Sequence, residues 1–298
     1  MFPRSGRQSC NRFGKSAHAV YETRKFAQLI DFLYSIPAAA LLLSAVVTTV
    51  LLAGAGQTYV HHRFRSQDFV AHNEVGGIII AVAGTLYAVI LGFLTVVVWQ
   101  HFHEARQLVV LEADADIDAW HTAVGLPNPV CKRVRDDMLS YSKIMIDSEW
   151  PKMRRGTFDV TAAMVGMDAI DATATLTPGS RRESNAQIAT LQQLTIMHDA
   201  RQQRIVLNES GVSWFVWLVL LLGATSVICF CWLFGLRNPR TQQLMTSTVV
   251  TIVVSALVLL FELQYPFRSD VGIGPDAWNG AVEHIHQMQS GELMGMRM

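Results

Sequence analysis

Charge is scarce in this sequence, and what there is balances. Only 16% of its 298 residues are Asp, Glu, Lys or Arg, with 24 of each sign. The balance leaves no basic excess of the kind that holds nucleic acid, so no nucleic-acid partner is expected. Half the residues are apolar, so the chain reads as a membrane class although its length alone would allow two soluble domains. Cysteine is equally sparse. Cys10, Cys131, Cys229 and Cys231 form no CxxC pair, which argues against a disulfide framework or a zinc ribbon and leaves ordinary small apolar packing. The polar region 101–212 lacks GxSxG, Walker, HExxH and dinucleotide signatures, and the apolar runs hold almost no titratable groups. No enzyme activity, cofactor or metal is expected.

What the sequence does have is long apolar runs. Residues 75–99 carry no charge, and at about 1.5 Å per residue such a helix crosses a hydrocarbon core of about 30 Å. The run continues without Pro or Gly into a charged, helix-favouring segment, so one long helix spans the membrane and projects from it. Residues 35–56, 214–236 and 245–263 give three more spans. Ala53-Gly54-Ala55 looks like a signal-peptide cleavage site, but the preceding apolar region is too long and its basic leader too extended. The fold class is therefore an all-α integral membrane protein with a large cytoplasmic helical bundle between the second and third spans. Its expected parts are a basic arm (1–32), spans one and two (33–99), the helical region (100–212), spans three and four (213–265) and a tail (266–298).

The helical region shows four apolar stripes and no strand signal. Its first helix runs to about residue 124, with Phe102, Leu108, Val109, Ile117 and Trp120 as buried candidates. Glu104, Glu112, Asp114, Asp116 and Asp118 read as a solvated acidic face, because the loop glycine and ligand order of a calcium site are missing. A second helix covers about 131–149, with Val134, Met138, Tyr141 and Met145 inward, and ends at Trp150-Pro151. A third runs over about 157–174. A fourth follows the capping pairs Ser180/Glu183 and Ser184/Gln187 and places Ile188, Leu191, Leu194 and Met197 on one side. The pairs His61/His62 and His101/His103 lack further ligands at a metal spacing and read as solvated. Trp278, Val282 and Ile285 make a short amphipathic pattern in the tail.

Within the second span, Gly77, Ala81, Gly84, Ala88 and Gly92 recur at intervals of four, three, four and four, forming one small-residue stripe. In lipid, small residues let backbones approach, so the stripe should face another helix. Close packing within one subunit is the favoured reading, with a subunit interface or a pore wall as the others. Asn73 is placed to cap this helix, and Glu74 sits where the dipole favours an anion. Near the end of the last span, Glu262 either marks a functional path or simply reaches the interface.

Several of these residues carry a family resemblance. Asn73-Glu74-Val75-Gly76-Gly77, Gly84, Tyr87-Ala88-Val89, Leu91-Gly92-Phe93 and Trp99 resemble the bestrophin-like family of bacterial membrane proteins. Glu112-Ala113, Leu126-Pro127, Glu262-Leu263 and Pro266-Phe267 fit the same pattern, although Arg268-Ser269 stands where a Gly is common. The resemblance covers roughly residue 35 to the tail. It implies an oligomeric ion (anion) channel, a homo-oligomer in the lipid bilayer that passes a small inorganic ion. The alternative is a non-conducting scaffold or sensor whose cytoplasmic region binds a partner.

Four spans put both termini and the 101–212 region on one side. That side carries twenty Lys and Arg, six of them before the first span, against four on the other side. The expected location is therefore a bacterial inner membrane with the N-terminus cytoplasmic.

Overall fold

The computed structural model describes residues 32–64, 73–235 and 238–290, together with Ile30. Most of the basic arm, Cys10, Arg65, Arg237 and the Met-rich terminus lie outside the described residues. Every regular element among the described residues is helical. Four helices are long and apolar enough to cross a membrane.

The first, α1, runs Ala38–Arg63, following Pro37, whose ring cannot continue a helix backwards. His61 and His62 form its last turn rather than a polar connection, and cationic or dipolar groups suit that end. The long helix α2 spans Asn73–Thr122, 50 residues or about 75 Å. A single 3-10 turn, Ala123–Gly125, ends it before Pro127. Then come α3 (Val130–Ile144), a π-helical turn (Met145–Glu149) and the short α4 (Trp150–Met153). Pro151 thus does not stop the second bundle helix; it sits in the first turn of a new one. α5 (Val160–Ala174) is capped by Asp159, which accepts from Thr161 N at 2.9 Å. α6 (Arg181–Glu209) is capped by Ser180, while Glu183 reaches back to Gly179 N at 2.8 Å. The last spans are α7 (Trp214–Cys231) and α8 (Pro239–Leu263), and α9 (Asp276–Ser290) follows.

α1 packs along α8, and α2 packs against α7 and α8. Beyond the apolar half of α2, its charged half forms a bundle with α3, α5, α6 and α9. Phe102, Leu108, Val109 and Trp120 are buried as their spacing requires, while Ile117 is half-buried. The tail is not free of the bundle: Trp278 and Ile285 are fully buried, and the Trp278 ring meets Tyr141 edge-on at 5.6 Å.

The acidic face of α2 is divided. Glu104, Asp114 and Asp118 are exposed, but Glu112 and Asp116 are fully buried. Glu112 and Asp116 lie at i+4 and i+8 from Leu108, on the inward stripe of the helix. The Arg204 Nε donates to Glu112 Oε2 at 2.6 Å and its Nη2 to Oε1 at 3.1 Å. Tyr141 donates to the same Oε1 at 2.6 Å. Arg204 also donates to Glu149 at 3.4 Å, and Arg201 reaches both Glu149 oxygens at 3.1 Å. The π turn positions Glu149 inward, where it also accepts from Asp159 N at 2.7 Å. Asp116 accepts from Ser142 at 2.6 Å. Beside this core, Lys152 and Ser148 bonds hold the Asp159 carboxyl well below the usual carboxylate range. Asp159 therefore contributes stability that is present above its unfolded value and is lost only as pH falls through the depressed one.

Burying two arginines is costly, and pairing offsets that cost rather than turning it into a large net gain. What the network fixes is register: one guanidinium must meet α2 and the π turn together, while Tyr141 of α3 shares the same Glu112 carboxylate. Burial lowers the affinity of Arg204 for its proton, but Glu112, Tyr141 and Glu149 around it together outweigh this and push its pKa up. Arg204→Met, which strands Glu112 in the interior, should destabilise the protein by about 3–5 kcal/mol. Adding Glu112→Gln to that variant should recover part of the loss, as read from thermal unfolding in detergent. No recovery would mean that shape, not charge, ties the bundle together.

Candidate functional site

α2 has two differently built faces within its apolar half. Tyr87, Leu91, Leu94 and Val98 follow helical spacing and pack into the core that includes Leu220 of α7 and Leu260 of α8. Close approach on this face is provided by the partner helix: a Cβ at Gly223 would sit 2.5 Å from the Tyr87 ring. Gly76, at the same face, meets Phe230 and Phe234 at ordinary distances.

The small-residue stripe lies elsewhere. A methyl group added at Gly77, Gly84 or Gly92 would meet nothing within 4 Å. Ala81, Ala88 and Gly92 are exposed, and Gly77 and Gly84 are half-buried. Close packing of the stripe inside one subunit is therefore overturned. The physical reason is angular: at about 100° per residue, the stripe is centred roughly a quarter turn from the packed face. The stripe is also electrically bland. The Thr85 and Thr95 hydroxyls nearby donate to Ala81 O at 2.7 Å and Leu91 O at 2.8 Å, within their own helix.

The remaining motif positions hold the ends of the spans. Asn73 is already the first residue of α2, and its side chain does not cap that helix. Its Nδ2 donates to Gly235 O at 2.7 Å and its Oδ1 accepts from Gly235 N at 3.2 Å, clamping the turn after α7. Glu74 is exposed in the first turn. Trp99 is half exposed, stacked on Phe102 at 6.1 Å and edge-on to His103 at 4.9 Å. Glu112 is the buried partner of Arg204 described above. Phe267 is buried with its ring edge-on to Trp150 at 5.9 Å, and Pro266 O accepts from Ile273 N at 2.8 Å.

Glu262 is buried at the end of α8 and accepts a hydrogen bond from Ser269. Its second oxygen has no hydrogen-bond partner. Ser269, one of the two residues that depart from the family pattern, is thus the donor that satisfies half of this carboxyl group. The motif residues are not brought together into one pocket. They fall at the turn after α7, on the bare and packed faces of α2, inside the bundle, and at the joint between spans and bundle. Among the described residues, no group of three His, Cys, Asp or Glu could hold a metal ion.

Sequence reasoning missed Arg201, Arg204 and Glu149. The signal was present: 194, 197, 201, 204 and 208 continue the apolar stripe of α6 at helical spacing, and two of those positions are arginine.

Comparison with solved structures gives one fold. Two crystal structures of a bacterial bestrophin homologue from Klebsiella pneumoniae, each carrying a point mutation, are similar at TM-scores of 0.61 and 0.63. Their identity to this chain is 14% and 15%, with 80% and 83% of this chain and 98% and 99% of theirs covered. A third structure of such a homologue, phased on zinc, matches at a TM-score of 0.61 with 15% identity, covering 83% of this chain and 98% of its own. Likeness at this identity shows the fold alone. No curated relative matches by sequence. Residues 45–278, well over half the chain, match the bestrophin-like domain family, and the protein belongs to that family.

Proposed function

We propose that the protein is one subunit of a homo-oligomeric channel for a small inorganic anion in the bacterial inner membrane. The observation that carries the reading is the bare stripe of α2. Gly77, Ala81, Gly84, Ala88 and Gly92 are uncovered in a single chain, on the helix that also roots in the bundle. In copies arranged around an axis, this face meets a neighbouring α2 or borders a pathway. An apolar constriction there would gate by dewetting rather than by a ring of charge. The basic arm and the excess of Lys and Arg on one side support cytoplasmic termini and a cytoplasmic bundle inserted between the second and third spans. Among the described residues, no convergent nucleophile or acid–base set supports an enzyme.

The decisive experiment is chloride flux into liposomes holding the purified protein, with its mass measured in detergent. A conducting oligomer is expected. A monomer without flux would sink the channel and leave the scaffold reading. Gly84→Leu sharpens this, because a Cβ at this position meets nothing within 4 Å in one subunit. It should leave helix content and monomer folding intact while reducing oligomer mass or flux; Leu86→Ala, off the stripe, should be milder. Equal mass and flux for both variants would show that the stripe is incidental. Reporter fusions at Ser180 and Gly291 should both read cytoplasmic, and a periplasmic signal at Ser180 would invert the topology. Glu262→Gln should alter selectivity or pH dependence at unchanged assembly if the carboxyl borders the ion path. Lower yield irrespective of current would make Glu262 structural.

A further inference from the structure

A second feature lies where the bundle meets the spans. The turn after α4 places Arg154 and Arg155 beside residues 34–37, the lead-in to α1, in a cleft of about 480 Å³ that Arg268 and Asp270 complete. The cleft is rich in guanidinium groups. Asp270 is engaged, its Oδ1 accepting from Ala38 N at 3.1 Å at the start of α1. Arg268 lies over the Tyr265 ring at 4.1 Å and against Gly156, whose φ of 70° only glycine tolerates readily and where a Cβ would collide with the guanidinium. Arg154 and Arg155 are exposed and have no carboxylate partner among the described residues. Arg154 and Arg155 thus bring two guanidinium groups to a cleft whose described carboxylate, Asp270, is already engaged.

The cleft has an apolar continuation. Leu33 and Leu41, on either side of the same lead-in, line a groove of about 330 Å³ between α1, α7 and α8, together with Leu221, Thr225 and Leu257. The two cavities are joined by an aromatic relay. Arg268 covers Tyr265, Tyr265 meets Tyr34 edge-on at 5.9 Å, and Tyr34 stacks at 4.7 Å on Phe261, which lines the groove. Cationic above and apolar below, the pair of cavities matches an amphiphile with an anionic head.

We propose that this double cavity binds an anionic phospholipid of the bundle-side leaflet, its phosphate among Arg154, Arg155 and Arg268 and an acyl chain in the groove. Arginine suits the phosphate because its fixed fork of donors matches two phosphate oxygens at once. The position is the one a headgroup occupies, level with the first residue of α1 and a few residues beyond the end of α8. A bound lipid would bridge α4, the lead-in to α1 and the segment after α8, where the bundle meets the spans.

The test is thermal unfolding of the full-length protein in detergent, titrated with phosphatidylglycerol, phosphatidylcholine or inorganic phosphate. Phosphatidylglycerol should raise the unfolding temperature well above phosphatidylcholine at equal concentration. Arg154→Ala/Arg155→Ala should weaken the apparent phosphatidylglycerol affinity tenfold or more and leave the phosphatidylcholine response unchanged. Both residues are exposed, so this variant should keep wild-type helix content. Arg181→Ala/Arg182→Ala removes the same charge from the first turn of α6, outside the cleft, and should behave as wild type. Thr225→Phe, which fills the groove, should weaken long-chain phosphatidylglycerol more than a short-chain analogue. A full shift with inorganic phosphate alone would make the cleft a free-anion site and overturn the lipid proposal. So would equal losses in the two double variants. If Thr225→Phe changes oligomer mass and leaves lipid response intact, the groove is a contact between copies, and the acyl assignment falls.

Discussion

The joint between spans and bundle depends on a buried guanidinium. Arg204 sits fully inside the bundle, where leaving a charge unpaired would cost more than most single contacts return. It can be satisfied only if Glu112 of α2, Glu149 of the π turn and α6 itself arrive together. Hydrophobic packing around it is tolerant of small slips; this pairing is not. A one-residue rotation of α6 would swing the guanidinium away from both carboxylates by about 100°. The network therefore sets the rotational phase of α2 within the bundle, and the uninterrupted helix carries that phase into the apolar half.

That phase matters because α2 presents unlike faces. With the packed face turned to α7 and α8, the small-residue stripe is directed sideways, out of the subunit. Two further links support the same orientation. α6 runs into α7 through only residues 210–213, and α8 runs into the buried Glu262, Pro266 and Phe267 before α9 returns to the bundle. The Trp150 ring holds this return, edge-on to Phe267 and donating from Nε1 to Ile273 O at 3.0 Å. Three separate chain crossings join bundle to spans, so neither part can turn without the other.

Much of this was legible in the sequence, for identifiable reasons. The spans are visible because a hydrocarbon core demands about twenty apolar residues in a row. The bundle helices are visible because 3.6-residue periodicity survives in stripes such as Val134, Met138, Tyr141 and Met145. The buried ion network was not, because periodicity sorts residues by polarity, and Glu112, Asp116 and Arg204 are polar residues at apolar positions. The π turn was also hidden: it depends on tertiary pairing of Glu149, and Pro151 looked like an ordinary stop. The direction of the stripe was misread for a different cause. Spacing shows that five small residues share one face, but not which neighbour that face meets.

Bareness alone is a weak argument in lipid, since apolar side chains facing acyl tails carry no hydrophobic penalty. Ile78, Val82, Leu86 and Phe93 are exposed on the same helix and need no partner to explain them. What distinguishes the stripe is residue size. Each glycine in a helix interior costs up to about 1 kcal/mol relative to alanine in water, through backbone freedom lost on folding. Gly77, Gly84 and Gly92 carry that cost without a close intrachain contact to offset it. At Gly223 the offset is visible in the Tyr87 ring packed against it; along the stripe nothing within the chain supplies it. In the homo-oligomer proposed above, a second copy of the chain, whose backbone could approach where a branched side chain would forbid it, would supply the missing term.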